Sequence, residues 1–275
     1  MKLATGLDIR LGAAVERLEW GPWGVRAFTA AGVYRADQAV VALPLGVLKA
    51  GGVCFVPELP AAKQAALEQL GLTDAVKLFF HFPEPVLPPG VVELYLPGAN
   101  PEEWWSSGRD GPAEVLTALA TGEKARQLLA LPEEKALGSA LESLRQALGR
   151  PGLTPSRARL VHWRNEPYIL GAYSLARVGA AEARQVLAQP VGDRLFFAGE
   201  HTAPNAWAAT VHGAYASGLR AAREVLQKRP LFPLPLGRPP SRQARAQLKG
   251  GPSTTHTPAD PPPPQAPPAS RIRRP

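Results

Sequence analysis

Hydrophobic and polar positions alternate through the first thirty residues in short runs broken by glycine and proline. Leu7, Ile9 and Leu11 alternate with Asp8 and Arg10, Val15 to Leu18 continues the pattern, and Gly24 to Phe28 forms a third run after a turn at Gly21-Pro22. Period-two alternation predicts a half-buried strand at each. Gln38 to Leu43 is instead a continuous apolar run that stops at Pro44, the pattern of a strand buried on both faces. Pro60 to Leu70 predicts a helix, with Pro60 near its first position and Gly71 as its stop. Val76 to Phe82 predicts a strand with Lys77, Phe79 and His81 on one side and Leu78, Phe80 and Phe82 on the other. Val115 to Ala120 predicts another strand.

Two helices follow, Glu123 to Leu131 and Glu133 to Leu148. The second carries Leu137, Leu141, Leu144 and Leu148 on one stripe and stops at Gly149. Leu195 to Ala198 is a short buried strand ending at Gly199-Glu200. Val211 to Leu226 is helical, with Gly213, Ser217 and Ala221 in one small-residue row and Ala214, Gly218 and Ala222 in another, rows that let a helix approach a sheet closely. Strands of both kinds mixed with helices predict an α/β part, a Rossmann-like fold, with an inserted mixed-sheet α+β part.

Composition changes this picture mainly at the end of the chain. The formal charge is +8 over 275 residues, but from Pro230 onward seven basic residues face one acid, Asp260, which leaves +2 for the rest. The same segment holds 14 of the 31 prolines and a single aromatic, Phe232, too little apolar surface to bury a core. A disordered basic tail is therefore expected at 230–275, and without interleaved aromatics no nucleic-acid binding is expected of it. The single cysteine, Cys54, excludes an intramolecular disulfide framework; flanked by Val53 and Phe55, it reads as a packed thiol. It also fits a reducing, cytoplasmic compartment. The apolar stretch from Ala39 to Leu48 is about half the length a membrane span needs and is broken by Pro44, and no signal peptide is visible.

Walker loop, nucleophile elbow and zincin motifs are absent, and His201, His212 and Glu200 do not make a metal site. The informative segment runs from Leu195: LFFAGEHTAPNAWAATVHGAYASGLRAAREVL. It reads as strand, tight turn, loop and helix. Ligands of α/β sheets bind beyond the carboxyl ends of strands, and a helix start favours negative charge, so an anionic or electron-rich ligand is expected near Thr210 and Val211. Plain strand–helix packing is the alternative.

This segment resembles the C-terminal flavin-binding signature of the flavin-containing amine oxidases, in the branch of polyamine oxidases and lysine-specific histone demethylases. Three further blocks agree in order. Val40 to Lys49 resembles V-x-x-L-P-L-G-V-L-K, Val76 to Phe80 resembles the lysine-bearing strand, and Trp163 to Ser174 resembles W-x-x-x-P-Y-x-x-G-x-Y-S. The resemblance implies an FAD-dependent oxidase that passes a hydride from the carbon beside an amine nitrogen to flavin N5. Imine hydrolysis and reduction of O2 to hydrogen peroxide then follow.

It also implies roles. Val15, Pro44, Gly199, Glu200, Thr210 and Val211 fall on the cofactor, with Val15 at the adenine edge, Glu200 at the ribityl–diphosphate part and the Val211 N–H at the pyrimidine carbonyl. Lys77 would hold a water near N5; from the residues alone it reads as an outward-facing residue on a half-exposed strand. Trp163, Tyr168, Tyr173 and Thr210 would wall the substrate cavity; the bland reading of such an aromatic cluster is core. Thr210 stands where monoamine oxidases carry a second cage tyrosine, and Ala172 where they attach flavin through cysteine, so FAD is expected to be non-covalent. Val86 departs from a frequent aromatic.

No G-x-G-x-x-G unit is present, so the chain resembles the C-terminal half to two-thirds of such an enzyme. The expected division is 1–53 and 175–229 for the FAD-binding domain and 54–174 for the substrate domain. A non-catalytic remnant, or a fragment that needs an upstream dinucleotide-binding polypeptide, is the alternative.

Overall fold

The computed structural model describes residues 4–110 and 113–228, within the compact unit Met1–Arg229. The expected tail lies outside the described residues. The first element is a meander of β1 (Val15–Gly21), β2 (Gly24–Thr29) and β3 (Gly32–Ala36), antiparallel throughout. β4 (Ala39–Val41) and α1 (Leu45–Lys49) follow, and β5 (Cys54–Val56) returns parallel to β1 to complete a mixed sheet of order β3-β2-β1-β5.

The chain then leaves through α2 (Ala61–Gln69) and β6 (Leu70–Leu72) into a second sheet. Its strands are β7 (Ala75–Phe82), β8 (Glu93–Tyr95), β9 (Glu103–Asp110) and β10 (Ala113–Thr121), with α3 (Gly122–Leu129), α4 (Glu133–Leu148) and β11 (Arg157–His162) after them. The order is β11-β7-β10-β9-β8, and every pairing is antiparallel. The return runs through β12 (Ser174–Ala176), which pairs with β6, then α5 (Ala183–Ala188), β13 (Leu195–Phe197) and α6 (Val211–Gln227). β13 lies parallel to β4.

The alternation in β7 decides the second layer. Val76, Leu78, Phe80 and Phe82 are buried, with Leu116, Trp104 and the inner faces of α3 and α4 around them. Each such side chain taken from water stabilises by about 1.5–3 kcal/mol. Lys77, Phe79 and His81 project to the other face and are only partly buried. On α4 the buried row is Ala136, Ala140 and Leu144, and Leu137, Leu141 and Leu148 are only partly buried. The alanines let the helix axis come close to the sheet, and the leucines splay to its sides.

Four expectations are corrected. Leu7 to Leu11 is no strand: it lies between Gly6 and Gly12, both at positive φ, with its apolar side chains exposed and no neighbouring strand to pair with. Alternation alone cannot make a strand without a partner. The run from Gln38 to Leu43 is not buried on both faces, because β4 pairs with β13 alone and Val40 remains 46% exposed. Cys54 is exposed, since β5 turns Phe55 rather than the thiol toward the core. Gly71 does not stop α2; the helix ends at Gln69, and Gly71 pairs with Leu175 in β6.

Candidate active site

The site is built around the loop from Ala198 to Val211. β13 ends in Gly199, whose φ of 130 no L-residue adopts comfortably and whose N–H donates to Ser217 Oγ at 2.8 Å. The chain doubles back through a 3-10 turn, Glu200–Thr202, and a second one at Asn205–Trp207. Thr210 caps α6: its hydroxyl accepts from the Gly213 N–H at 3.1 Å and donates to Trp207 O at 2.6 Å. Gly213 lies so close to the loop that a Cβ there would stand 1.9 Å from Trp207 O. The first turn of α6 contains no acid, and Val211 is 88% exposed. The N–H groups of Val211 and His212 lie at the positive end of the helix dipole, where the helix itself supplies them no acceptor.

Glu200 ties this loop to the second half of the site. Its Oε1 accepts from the Ser174 N–H at 2.9 Å, and its Oε2 accepts from Ser174 Oγ at 2.6 Å and from the Ala209 N–H at 2.7 Å. Ser174 opens β12 directly after Tyr173, and Ala209 precedes Thr210, so one carboxylate joins the segment of Tyr173 to the start of α6. The third segment is locked by contact. A Cβ on Gly46 would stand 2.4 Å from Leu170 O and 2.5 Å from Ile169 O, so α1, with Pro44 at its N-cap, lies directly on the segment after Tyr168.

Lys77 occupies the open face of β7, opposite Leu119 of β10 and Val161 of β11. Its ammonium lies 5.5 Å from the centroid of the Trp105 ring. Just upstream, the Thr73 N–H donates to Tyr173 O at 3.0 Å, and Asp74 accepts from Arg164 at 2.5 Å and from Arg126 at 3.1 Å. Tyr173 and the turn that opens with Trp163 are thus both anchored to the approach of the lysine strand. Trp163 and Tyr173 are half-buried and Tyr168 is exposed; among the described residues, no ring stacking joins the three. Val15 stands apart from them in the meander, against the cluster that contains Val41 and Phe197.

Trp105, Asp74 and Arg184 escaped the sequence reading. The adjacent pair Trp104-Trp105 carried a signal: in a strand one ring of such a pair faces the core and the other the open side. Beneath the loop the environment is cationic. His201 is 3% exposed, and burial pushes its imidazole down to about 4; Glu200 opposes the shift, while Arg184, Arg220 and Lys63 reinforce it. The unfolded chain therefore takes up this proton first. The contribution is fully present above about pH 6.5 and is lost as pH falls toward about 4, a difference of about 3 kcal/mol at most. Urea midpoints measured from pH 7 to pH 4 are expected to fall accordingly, and His201→Leu is expected to flatten the decline. An equal decline in that variant would assign it to other groups.

Mixed and antiparallel sheets, a strand–turn–helix unit with free donors at the helix start, and an inserted sheet bearing a lysine on its open face define a flavoenzyme-type scaffold. Residues 2–226 match the family described as flavin containing amine oxidoreductase, and the chain belongs to that family. It is 35% identical over 239 residues to a protein named lysine-specific histone demethylase 1 homolog 2 of Arabidopsis thaliana, covering 82% of this chain and 31% of that one. It is also 35% identical to polyamine oxidase 4 of Oryza sativa subsp. japonica, over 82% of this chain and 47% of the relative. The chain therefore spans about a third to a half of the length of these relatives. Among solved structures, a wild-type putrescine oxidase bound to putrescine superposes with a TM-score of 0.73 at 21% identity, over 82% of this chain and 51% of that one. Cyclohexylamine oxidase from Brevibacterium oxydans gives 0.61 at 19% identity, over 78% and 48%. The fold is thus that of flavin amine oxidases. No helix among the described residues is long and apolar enough to cross a membrane.

Proposed function

We propose that this chain carries the amine-oxidising site of an FAD-dependent amine oxidase of the polyamine oxidase and demethylase branch. The observation that supports it most is the start of α6, where N–H groups with no acid in the helix's own first turn adjoin, through Glu200, the segment of Tyr173. That donor set suits a ring system that gains negative charge when reduced. The glycines at 46, 199 and 213 keep the surrounding backbones close together. FAD, when bound, would supply the hydride acceptor.

The chain's own residues do the rest. Val211 would offer its N–H to the electron-rich edge of the ring, with Thr210 fixing that turn. Gly199 and Glu200 would form the turn that meets the ribityl–diphosphate part, and Pro44 and Val15 would line the remainder of the cofactor surface. Trp163, Tyr168 and Tyr173 orient a neutral amine, and Lys77 holds a water through its ammonium. With Ala172 before Tyr173, the cofactor is held without a covalent bond. Residues 1–53 and 175–229 form the cofactor part and 54–174 the substrate part, with O2 as the final oxidant in a cytoplasmic setting.

The test is to purify the 275-residue chain, record bound-flavin absorbance, and assay peroxide with polyamines and monoamines. Flavin absorbance with amine-dependent peroxide is expected. A chain that binds no flavin even when extended by its upstream coding sequence would sink the reading.

The exposed side of β4 favours a second reading. Two-stranded sheets are marginal alone, and Val40 of β4 is left uncovered. In that reading the chain binds flavin only when a dinucleotide-binding polypeptide completes the sheet. Co-expression with such a polypeptide would then restore flavin absorbance that the chain lacks by itself.

A further inference from the structure

The buried arginine of α5 has no part in the reading above. We propose that Arg184 is a positioning residue: by fixing Ser174 and, through it, the Glu200 carboxylate, it sets the residue that follows Tyr173 in register with the start of α6. What the aligned groups accomplish rests on the amine-oxidase reading; the alignment itself rests on geometry alone.

Arg184 is 4% exposed on a short helix whose other buried residues, Ala183 and Leu187, are apolar. A guanidinium there is costly, because burial strips its water and only one carboxylate answers it, Glu200 Oε2 at 3.8 Å. Its Nε has no partner at all. For packing alone an apolar residue would serve better, so the arginine's two contacts with Ser174 need another explanation. Nη2 donates to Ser174 O at 3.2 Å, and Nη1 makes a short hydrogen bond to Ser174 Oγ.

Arginine only donates. The Ser174 hydroxyl must therefore accept from it and give its single hydrogen to Glu200 Oε2, at 2.6 Å. The direction of the whole chain of bonds follows from this. With the hydroxyl fixed, the carboxylate is oriented so that Oε1 receives the Ser174 N–H and Oε2 receives the Ala209 N–H. Ala209 is held at φ 62, a left-handed conformation that a residue with a Cβ disfavours. The bond its N–H donates to Glu200 Oε2 restrains it, one residue before the Thr210 cap. Without Arg184 the hydroxyl is free to turn toward other acceptors, and the carboxylate loses the constraint that aims it at Ala209.

Hydrogen exchange on the full 275-residue chain, with no flavin present, tests this. In Arg184→Met the Ser174 and Ala209 amides are expected to exchange about tenfold faster or more, while amides of β10 keep their wild-type rates. Arg184→Lys retains the charge and a single donor nitrogen in place of the guanidinium fork, and is expected to recover part of the protection. If Arg184→Met does not fold, Arg184→Lys and Ser174→Ala carry the test: their combination is expected to protect Ala209 no less than the worse single variant. Unchanged rates, acceleration spread evenly over the chain, or additive effects in the double variant would each overturn the proposal. Failure to bind flavin even when the chain is extended by its upstream coding sequence would overturn the oxidase reading and leave this result standing.

Discussion

Among the described glycines, Gly213→Ala is expected to be the most damaging alanine substitution, and Gly218→Ala, five residues along the same helix, to be harmless. At Gly213 the added Cβ would lie 1.9 Å from Trp207 O and 2.8 Å from Trp207 C, both backbone atoms that cannot swing aside. Either α6 withdraws from the loop, losing the Thr210 cap and the contact of Gly199 with Ser217, or the turn at Asn205–Trp207 unfolds. Overpacking of this kind costs about 3 kcal/mol or more. At Gly218 no atom lies within 4 Å of the added Cβ. Alanine there gains helix propensity and loses unfolded-state entropy, so the chain is stabilised by about 0.5–1 kcal/mol. Urea denaturation of the two variants measures both signs. Because the clash falls on the loop, Gly213→Ala is also expected to abolish flavin binding. Equal midpoints for the two variants would show that the helix does not press on the loop as described.

The same two glycines show what could be read from the chain beforehand. Both belong to small-residue rows that were visible in the sequence, and close approach of α6 to a sheet followed from either. Which row faces inward did not follow. It is set by β13, whose three residues are all buried and whose end presents the Gly199 N–H to Ser217. The β7 strand was legible for a different reason: one face is fully covered by α3 and α4, so its period of two is complete. β9 was not, because Ser106, Ser107 and Gly108 interrupt its apolar pattern, and Trp105 went unnoticed with it. α5 is six residues long, too short for a helical period to emerge, and the significance of Arg184 depends on partners 10 and 16 positions away. Leu7 to Leu11 misled in the opposite direction, since alternation records which faces differ and not whether a neighbouring strand exists.

Lys77→Met is the change expected to reduce amine oxidation most while leaving the fold intact. Lys77 sits on the open face of β7, where its loss removes no core contact: Val76 and Leu78 on the opposite face are both fully buried and stay so. Among the described residues its ammonium meets no carboxylate, only the face of Trp105 at 5.5 Å. A lysine kept for stability on a strand would gain from an acidic cross-strand partner, yet its neighbours in register are Leu119 and Val161. An ammonium left with free donors suits the holding of a water beside the reacting centre. Methionine matches the length of lysine and removes every donor. Amine-dependent flavin reduction is therefore expected to fall by about a hundredfold or more, the scale of losing one donor group that positions a reacting centre, with unchanged urea midpoint and flavin content. Trp105→Leu removes only the cation–π contact, worth about 0.5–1 kcal/mol, so a two- to fivefold loss is about the scale expected. Stopped-flow reduction of the flavin-loaded protein separates the outcomes. If Lys77→Met reduces at the wild-type rate, the lysine is an outward-facing residue of a half-exposed strand. If Trp105→Leu matches Lys77→Met, the indole rather than the ammonium is the group that matters on this face.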